Sequence, residues 1–508
     1  MSKFFVDAIK KAIENSRIIK NPDENELNRL ASGDAKITEF GNRSFVTKVR
    51  GRSTQVTEVI MKEPNSKQQR IIGEVTDYLK GKELLEINRD MCKENDKILH
   101  CRSYVSRKFA RVGLIWGKML FPSTNTSKTD ITVVDIPDYP ENHVFIDAES
   151  NITFILGTDY AGELKKAHLR HAMYIMKRRK NGLGLHAGSK LIRVRKENGK
   201  IIERGMLLFG LSATGKTTIT CHHHWLDKSA GEGVVIKQDD VVLMDSKTHC
   251  AGTEDNFYIK TDGLEPESQP LLYAGVKSRN ALLENVKVDR NGKIDFFDST
   301  ITSNGRAVVI RKELGYTEDS VDLPRADMFV FITRRNTIMP PIARLTPAQA
   351  SAFFMLGESV WSSATVVGTP GKPKRVVGTN PFIMGPPEEE GNRFHDILFE
   401  NPDIECYILN TGSVGATDEF KGEKITVRDS VTMLKEAARG AIEWKKDPDW
   451  GYEVPVKIPD IDMKRFDMKK YYNKKGYDKL TDELRMERVE WLAQFSGLYA
   501  GIRNAILK

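Results

Sequence analysis

Gly210-Leu211-Ser212-Ala213-Thr214-Gly215-Lys216-Thr217-Thr218 fits the phosphate-binding pattern of glycine, four residues, then Gly-Lys-Ser/Thr. It follows an apolar run, Met206 to Phe209, that reads as a buried strand, and Thr217 to Thr220 can open a helix. Backbone N–H groups in such a loop and at a helix start are unsatisfied and partly positive, so they can cradle a triphosphate. Lys216 would reach the β- and γ-phosphates, and the Thr217 hydroxyl would ligate a metal. The plain alternative is a glycine turn before an ordinary helix. The complete spacing and the flanking strand favour a nucleoside triphosphate.

A chain of 508 residues has room for two or three domains. Forty per cent hydrophobic and 29 per cent charged residues describe an ordinary globular chain. The net charge of +8 is spread along the sequence, which suits anionic small substrates and argues weakly for nucleic acid. The five cysteines (92, 101, 221, 250 and 406) have neither paired metal spacing nor an even count for a disulfide framework. A reducing, cytoplasmic setting is expected. Met1 to Ser16 mixes apolar residues with charges and holds no secretory core, and no apolar run is long enough to span a membrane.

In chain order, residues 1 to about 30 read as one amphipathic helix and a polar turn. Short strands follow between Ile37 and Ile60, then a charged helix over Glu74 to Lys97. Val112 to Met119, Ile131 to Ile136 and Asn151 to Leu156 are strand-like, and the stretch Gly157 to Lys166 leads into a helix through Lys177. A domain change is expected near residue 195, giving domains 1–195 and 196–508. In the second, Gly233 to Lys237 ends in Asp239-Asp240, and Asp327 to Thr333 and Glu405 to Leu409 are further buried runs. Strands alternating with helices predict an α/β fold with the phosphate loop at a strand's carboxyl end. Ser362 to Asn380 is rich in Gly, Pro and basic residues and reads as a mobile lid. The last 28 residues suggest a helix after Thr481-Asp482. Cys221-His222-His223-His224 would continue the loop's helix, where consecutive side chains diverge by about 100° and cannot converge on one ion.

A phosphate loop names the nucleotide and leaves the reaction open. Asp239-Asp240 is the natural second acidic site for a nucleotide's metal. Lys165-Lys166, His186, and Arg52 and Arg306 (each beside a glycine) carry little weight singly. Their order and spacing carry more. The chain resembles the ATP-dependent phosphoenolpyruvate carboxykinases in Gly51-Arg52-Ser53, in Gly157-Thr158 with Tyr160-Ala161-Gly162-Glu163 and Lys165-Lys166, and in His186. The likeness continues through the phosphate loop, Asp239-Asp240, Glu254, Tyr258 with Lys260, and Ala281 to Val286. Arg306, Pro340-Pro341 with Arg344-Leu345-Thr346, and Asn410-Thr411-Gly412 complete it in collinear order.

The resemblance implies a two-domain carboxykinase-like fold with a mononucleotide-binding, P-loop-containing C-terminal domain. It implies conversion of oxaloacetate and ATP into phosphoenolpyruvate, CO2 and ADP with two divalent cations. Lys165, Lys166, Lys216, Asp239 and Arg306 would carry the chemistry. Arg52, Tyr160, Lys166 and Arg306 would hold the substrate. The loop residues, Glu254, Arg306, Lys424, Ile425 and Ser430 would hold ATP. Lys166, His186 and Asp240 would bind Mn2+, with Lys166 as a neutral amine, and Thr217 would bind Mg2+. Two departures stand out: Val241-Val242 where the family continues Glu-His, and Ala213 where it has Gly. They predict altered metal binding with the reaction unchanged. A same-fold kinase acting on another hydroxyl, and a nucleotide-binding regulator without catalysis, are the competing readings.

Overall fold

The computed structural model describes residues 3–49, 53–94, 96–211, 214–360 and 373–506. Arg52, Ser212, Ala213 and residues 362–372 of the expected lid lie outside them. The chain forms a mixed α/β fold of two compact units: Met1–Arg178 with Ala251–Gly315, and Arg179–Cys250 with Tyr316–Lys508.

The first unit is built on an eight-stranded mixed sheet. Its main path runs Arg17–Lys20, Glu83–Met91, Leu99–Ser106, Ile131–Ile136, Ile152–Leu156, His143–Asp147 and Thr57–Ile60. Ile152–Leu156 is buried at every position, as a strand covered on both faces must be. Helices Lys3–Asn15 and Ser66–Tyr78 cover the sheet through Phe5, Ile72 and Val75, which join Phe145 and Phe154 in one core. A second sheet of this unit orders Phe257–Lys260, Arg306–Val309, Leu282–Glu284, Arg43–Phe45 and Lys36–Ile37. Leu282–Glu284 pairs in parallel with Arg43–Phe45, which explains why 251–315 belongs with the N-terminal residues. The single boundary expected near residue 195 therefore differs from the structure: the chain leaves the first unit near 178 and returns to it for 251–315.

The second unit holds an eight-stranded sheet in the order Gly233–Gln238, Ala187–Arg195, Ile201–Gly210, Met328–Thr333, Glu405–Asn410, Ile342–Leu345, Glu453–Lys457 and Glu443–Lys446. Ile201–Gly210, Met328–Thr333 and Glu405–Asn410 run parallel, so their carboxyl ends lie together at Gly210, Thr333 and Asn410. That edge is where open α/β sheets bind ligands.

Several local readings are corrected. Val112–Met119 is helix, within Ala110–Met119, and buried almost all round, so it lacks the polar face that marks a helix by periodicity. The charged stretch from Glu74 is the end of helix Ser66–Tyr78 followed by strand Glu83–Met91, whose buried positions hold Asn88 and Asp90 beside its leucines. The expected first helix ends at Asn15, and a strand and a second helix, Glu24–Ala31, follow. The C-terminal helix starts earlier than Thr481, at Lys474, because Asn473 caps it by accepting from the Gly476 N–H. Of the expected lid, Pro373–Arg375 pairs with Glu358–Val360 and Val377–Thr379 is a single 3-10 turn.

Candidate active site

In the second unit the strand Ile201–Gly210 runs into the loop, and a short helix, Lys216–Thr220, leaves it. Two glycines are required here. A Cβ at Gly210 would lie 2.6 Å from the Thr214 hydroxyl, and Gly215 takes φ +93° at the helix start. The loop is braced from its neighbours. Thr214 donates its hydroxyl to the Leu211 carbonyl at 2.7 Å, and Thr411 donates to the Thr214 carbonyl at 2.8 Å. The Asn410-Thr411-Gly412 turn thus supports the loop from the next parallel strand but one. The same turn receives the Ile425 N–H at the Gly412 carbonyl.

The charged groups beside the loop converge. The Lys216 ammonium lies 3.0 Å from His186 Nε2 and 3.6 Å from Asp240 Oδ1, and His186 Nε2 lies 3.0 Å from that same oxygen. His186 Nδ1 faces the Thr379 carbonyl at 2.5 Å, which makes Nδ1 the donor and leaves Nε2 as the electron pair. Burial and the Lys216 charge push the imidazole below its ordinary range, while Asp240 opposes them. A neutral imidazole and a carboxylate, both facing a cationic ammonium, are a donor pair that suits a divalent cation. Among the described residues no group of three or more His, Cys, Asp or Glu could hold a metal. Asp239 is buried next to this pair. Val241 and Val242 are fully buried, and Val242 pairs with Leu185 in the core, so these positions serve packing here. Of the other residues expected to hold ATP, Lys424 is exposed and Ile425 buried, and the Ser430 hydroxyl donates to the carbonyl of Thr426, the cap of its own helix.

In the first unit a different construction appears. Lys165 pairs with Glu254 at 3.0 Å, both buried, and lies 5.2 Å from the Tyr258 ring centre. The Arg306 guanidinium lies 5.7 Å from the same ring. The Tyr258 hydroxyl donates to Glu284, whose other oxygen takes the Ala161 N–H at 2.9 Å. Burial and Glu284 hold Tyr258 well above its ordinary value, and burial raises Glu284 as well. Asn304 joins two expected substrate residues, accepting from Arg306 at 2.9 Å and donating to the Tyr160 hydroxyl at 3.1 Å. Lys166 pairs with Glu163, which also accepts from Arg170. Lys260 pairs with Asp262.

Three supporting residues escaped the sequence reading. Arg111, fully buried, pairs with Asp159 and lies 3.7 Å from Glu284. Asp159 also accepts the Lys48 and Val49 N–H groups at 3.0 Å, which fixes the segment leading toward Arg52. The one signal was an arginine inside the apolar stretch Ala110–Met119. Asn304 gave no signal. The Cys221-His222-His223-His224 reading is corrected too. The loop's helix ends at Thr220, and the histidines form a turn in which His222 accepts the His224 N–H and His224 takes φ +58°.

The family model described as phosphoenolpyruvate carboxykinase (the ATP type) matches residues 16–464. The phosphoenolpyruvate carboxykinase (ATP) of Aeropyrum pernix is 36% identical over 490 residues, covering 96% of each chain. The protein of that name from Brucella melitensis is 28% identical over 66% of this chain and 61% of its own, and that from Brucella anthropi 27% identical over 77% and 73%.

Proposed function

We propose how the residues of this chain divide the work of its family's reaction: the chain belongs to the ATP-dependent phosphoenolpyruvate carboxykinases and converts oxaloacetate and ATP into phosphoenolpyruvate, CO2 and ADP. The observation that carries the proposal is the convergence of Lys216, His186 and Asp240 beside a glycine-built loop. A kinase acting on another hydroxyl is not favoured, given the match along nearly the whole chain.

The second unit takes ATP. Loop N–H groups and the start of helix Lys216–Thr220 face the phosphates, Lys216 carries the γ-phosphoryl charge, and Thr217 would hold the Mg2+ of the nucleotide. Ile425 offers an apolar wall to the base, flanked by Lys424. The first unit takes the dicarboxylate. Arg306, held by Asn304 over Tyr258, and Tyr160, held by the same asparagine, are the carboxylate partners, with Arg52 added by the resemblance.

His186 and Asp240 are the proposed Mn2+ donors, and Lys166 is the third that the resemblance implies. A divalent cation there would supply stabilisation of negative charge on the carbonyl oxygen as CO2 departs. The carbon–carbon bond breaks with its electron pair entering the enolate. The enolate oxygen then attacks the γ-phosphorus and ADP leaves, so Lys216 meets the charge that develops between them. The lowered imidazole keeps His186 an acceptor at neutral pH.

The test is a coupled assay. Purified protein with ATP, Mn2+ and oxaloacetate should make phosphoenolpyruvate, and phosphoenolpyruvate with ADP and bicarbonate should return oxaloacetate. ATP consumption with another acceptor, and neither of these reactions under any divalent cation, would replace the assignment.

A further inference from the structure

Fully buried Lys190 and the histidine turn have no part in the chemistry above, yet they meet directly behind the loop's helix. Lys190 lies in strand Ala187–Arg195, which begins immediately after His186. Its amine donates to the Ile219 carbonyl and to His224 Nε2, both at 2.5 Å. His224 Nδ1 lies 3.0 Å from the Val431 carbonyl. A carbonyl can only accept, so Nδ1 carries the proton and Nε2 the electron pair that Lys190 meets. Burial lowers the Lys190 amine to about 7 and holds His224 well below its ordinary value, which keeps the imidazole a neutral acceptor.

These bonds complete a row of contacts made by His186 and the strand that follows it. His186 meets Lys216 at the front of the helix. Behind it, Gly188 admits Thr220 so closely that a Cβ would lie 2.1 Å from the threonine hydroxyl. At the rear, Lys190 ties the Ile219 carbonyl, and His224 extends the tie to helix Val427–Arg439 through Val431. A helix of only five residues has little stability of its own, so its position is set by what holds its ends.

We propose that Lys190 and His224 are positioning residues for phosphoryl transfer: they fix the loop's helix along strand Ala187–Arg195 and so hold Lys216 in register with His186 and Asp240. The proposal rests on the nucleotide reading of the loop. A purely structural role would lower stability and leave the kinetics of folded enzyme unchanged. A positioning role must lower kcat for phosphoenolpyruvate formation while sparing the KM for oxaloacetate.

Three full-length proteins separate the two: wild type, Lys190→Met, and Lys190→Met/His224→Leu. The double variant removes the His224 electron pair together with the amine that meets it, so part of the melting temperature lost in Lys190→Met should return. Both variants should lose kcat roughly 10- to 100-fold, the scale of a small misplacement of a reacting group. Affinity for a fluorescent ATP analogue should fall in both, with the KM for oxaloacetate unchanged. Recovery of kcat together with melting temperature in the double variant would overturn the proposal, as would an unaltered kcat in Lys190→Met. A wild-type chain that binds the ATP analogue but makes no phosphoenolpyruvate would instead overturn the functional reading.

Discussion

The phosphate loop of the second unit and the basic–aromatic cluster of the first are built on opposite plans. The loop is one contiguous stretch, shaped by Gly210 and Gly215 and braced by Thr214 and Thr411, and the proposed binding groups in it are mostly backbone. The cluster draws Arg111, Asp159, Lys165, Glu254, Tyr258, Glu284 and Arg306 from separate stretches, and side chains answer side chains, with backbone N–H groups adding only to Asp159 and Glu284. A backbone cradle cannot be removed by substitution, so its chemistry depends on few side chains. In a side-chain cluster the same groups serve binding and folding together. Loop variants should therefore be catalytically silent but folded, and cluster variants should be costly to stability.

The sharpest break of this contrast is Lys216→Ala. Phosphoenolpyruvate formation should fall by about a thousandfold or more, the scale of a lost charge-stabilising group, with the melting temperature nearly retained. A wild-type rate in the coupled assay would remove the loop from the chemistry. Next comes Arg111→Met, which leaves Asp159 and Glu284 buried beside each other without their cation. Denaturant unfolding should show a loss of about 3–5 kcal/mol, the cost of breaking a buried pair. A loss near zero would mean that the cluster is not a folding element.

Lys166→Arg and Lys166→Ala should weaken Mn2+ binding alike, by roughly 10- to 100-fold, the range seen for damaged metal surroundings. A guanidinium cannot become a neutral ligand near neutral pH. Near-native Mn2+ affinity in the arginine variant, read by titration, would end the ligand role.

The smallest effect concerns pH. His168 and His171 are fully buried in the first unit's long helix, and burial lowers them to about 4 and about 3. Their folded values lie below their unfolded ones, so the unfolded chain binds protons first as pH falls below about 6.5. Stability should then drop, by about 2 kcal/mol per histidine between pH 6.5 and 5. Asp135, pushed well above its ordinary value by burial, works in the opposite direction. His171→Gln should reduce the slope of stability against pH; an unchanged slope would mean another group governs it.

What could be read without coordinates was local. The Gly210–Thr218 spacing names its own geometry, because backbone N–H groups, two glycines and one lysine within nine residues suffice for a phosphate cradle. The buried strands Met328–Thr333 and Glu405–Asn410 were legible for the same reason: short apolar runs bounded by polar residues. The collinear motifs reached further and pointed to the family. Helix Ala110–Met119 was misread because burial on all sides erases the period by which helix and strand are told apart. The tie from Lys190 to His224, the brace of Asn304 and the return of 251–315 to the first unit were decided only by tertiary structure. Each joins residues distant in sequence, and no local pattern records which partner will satisfy a buried charge or which strand will take the next place in a sheet.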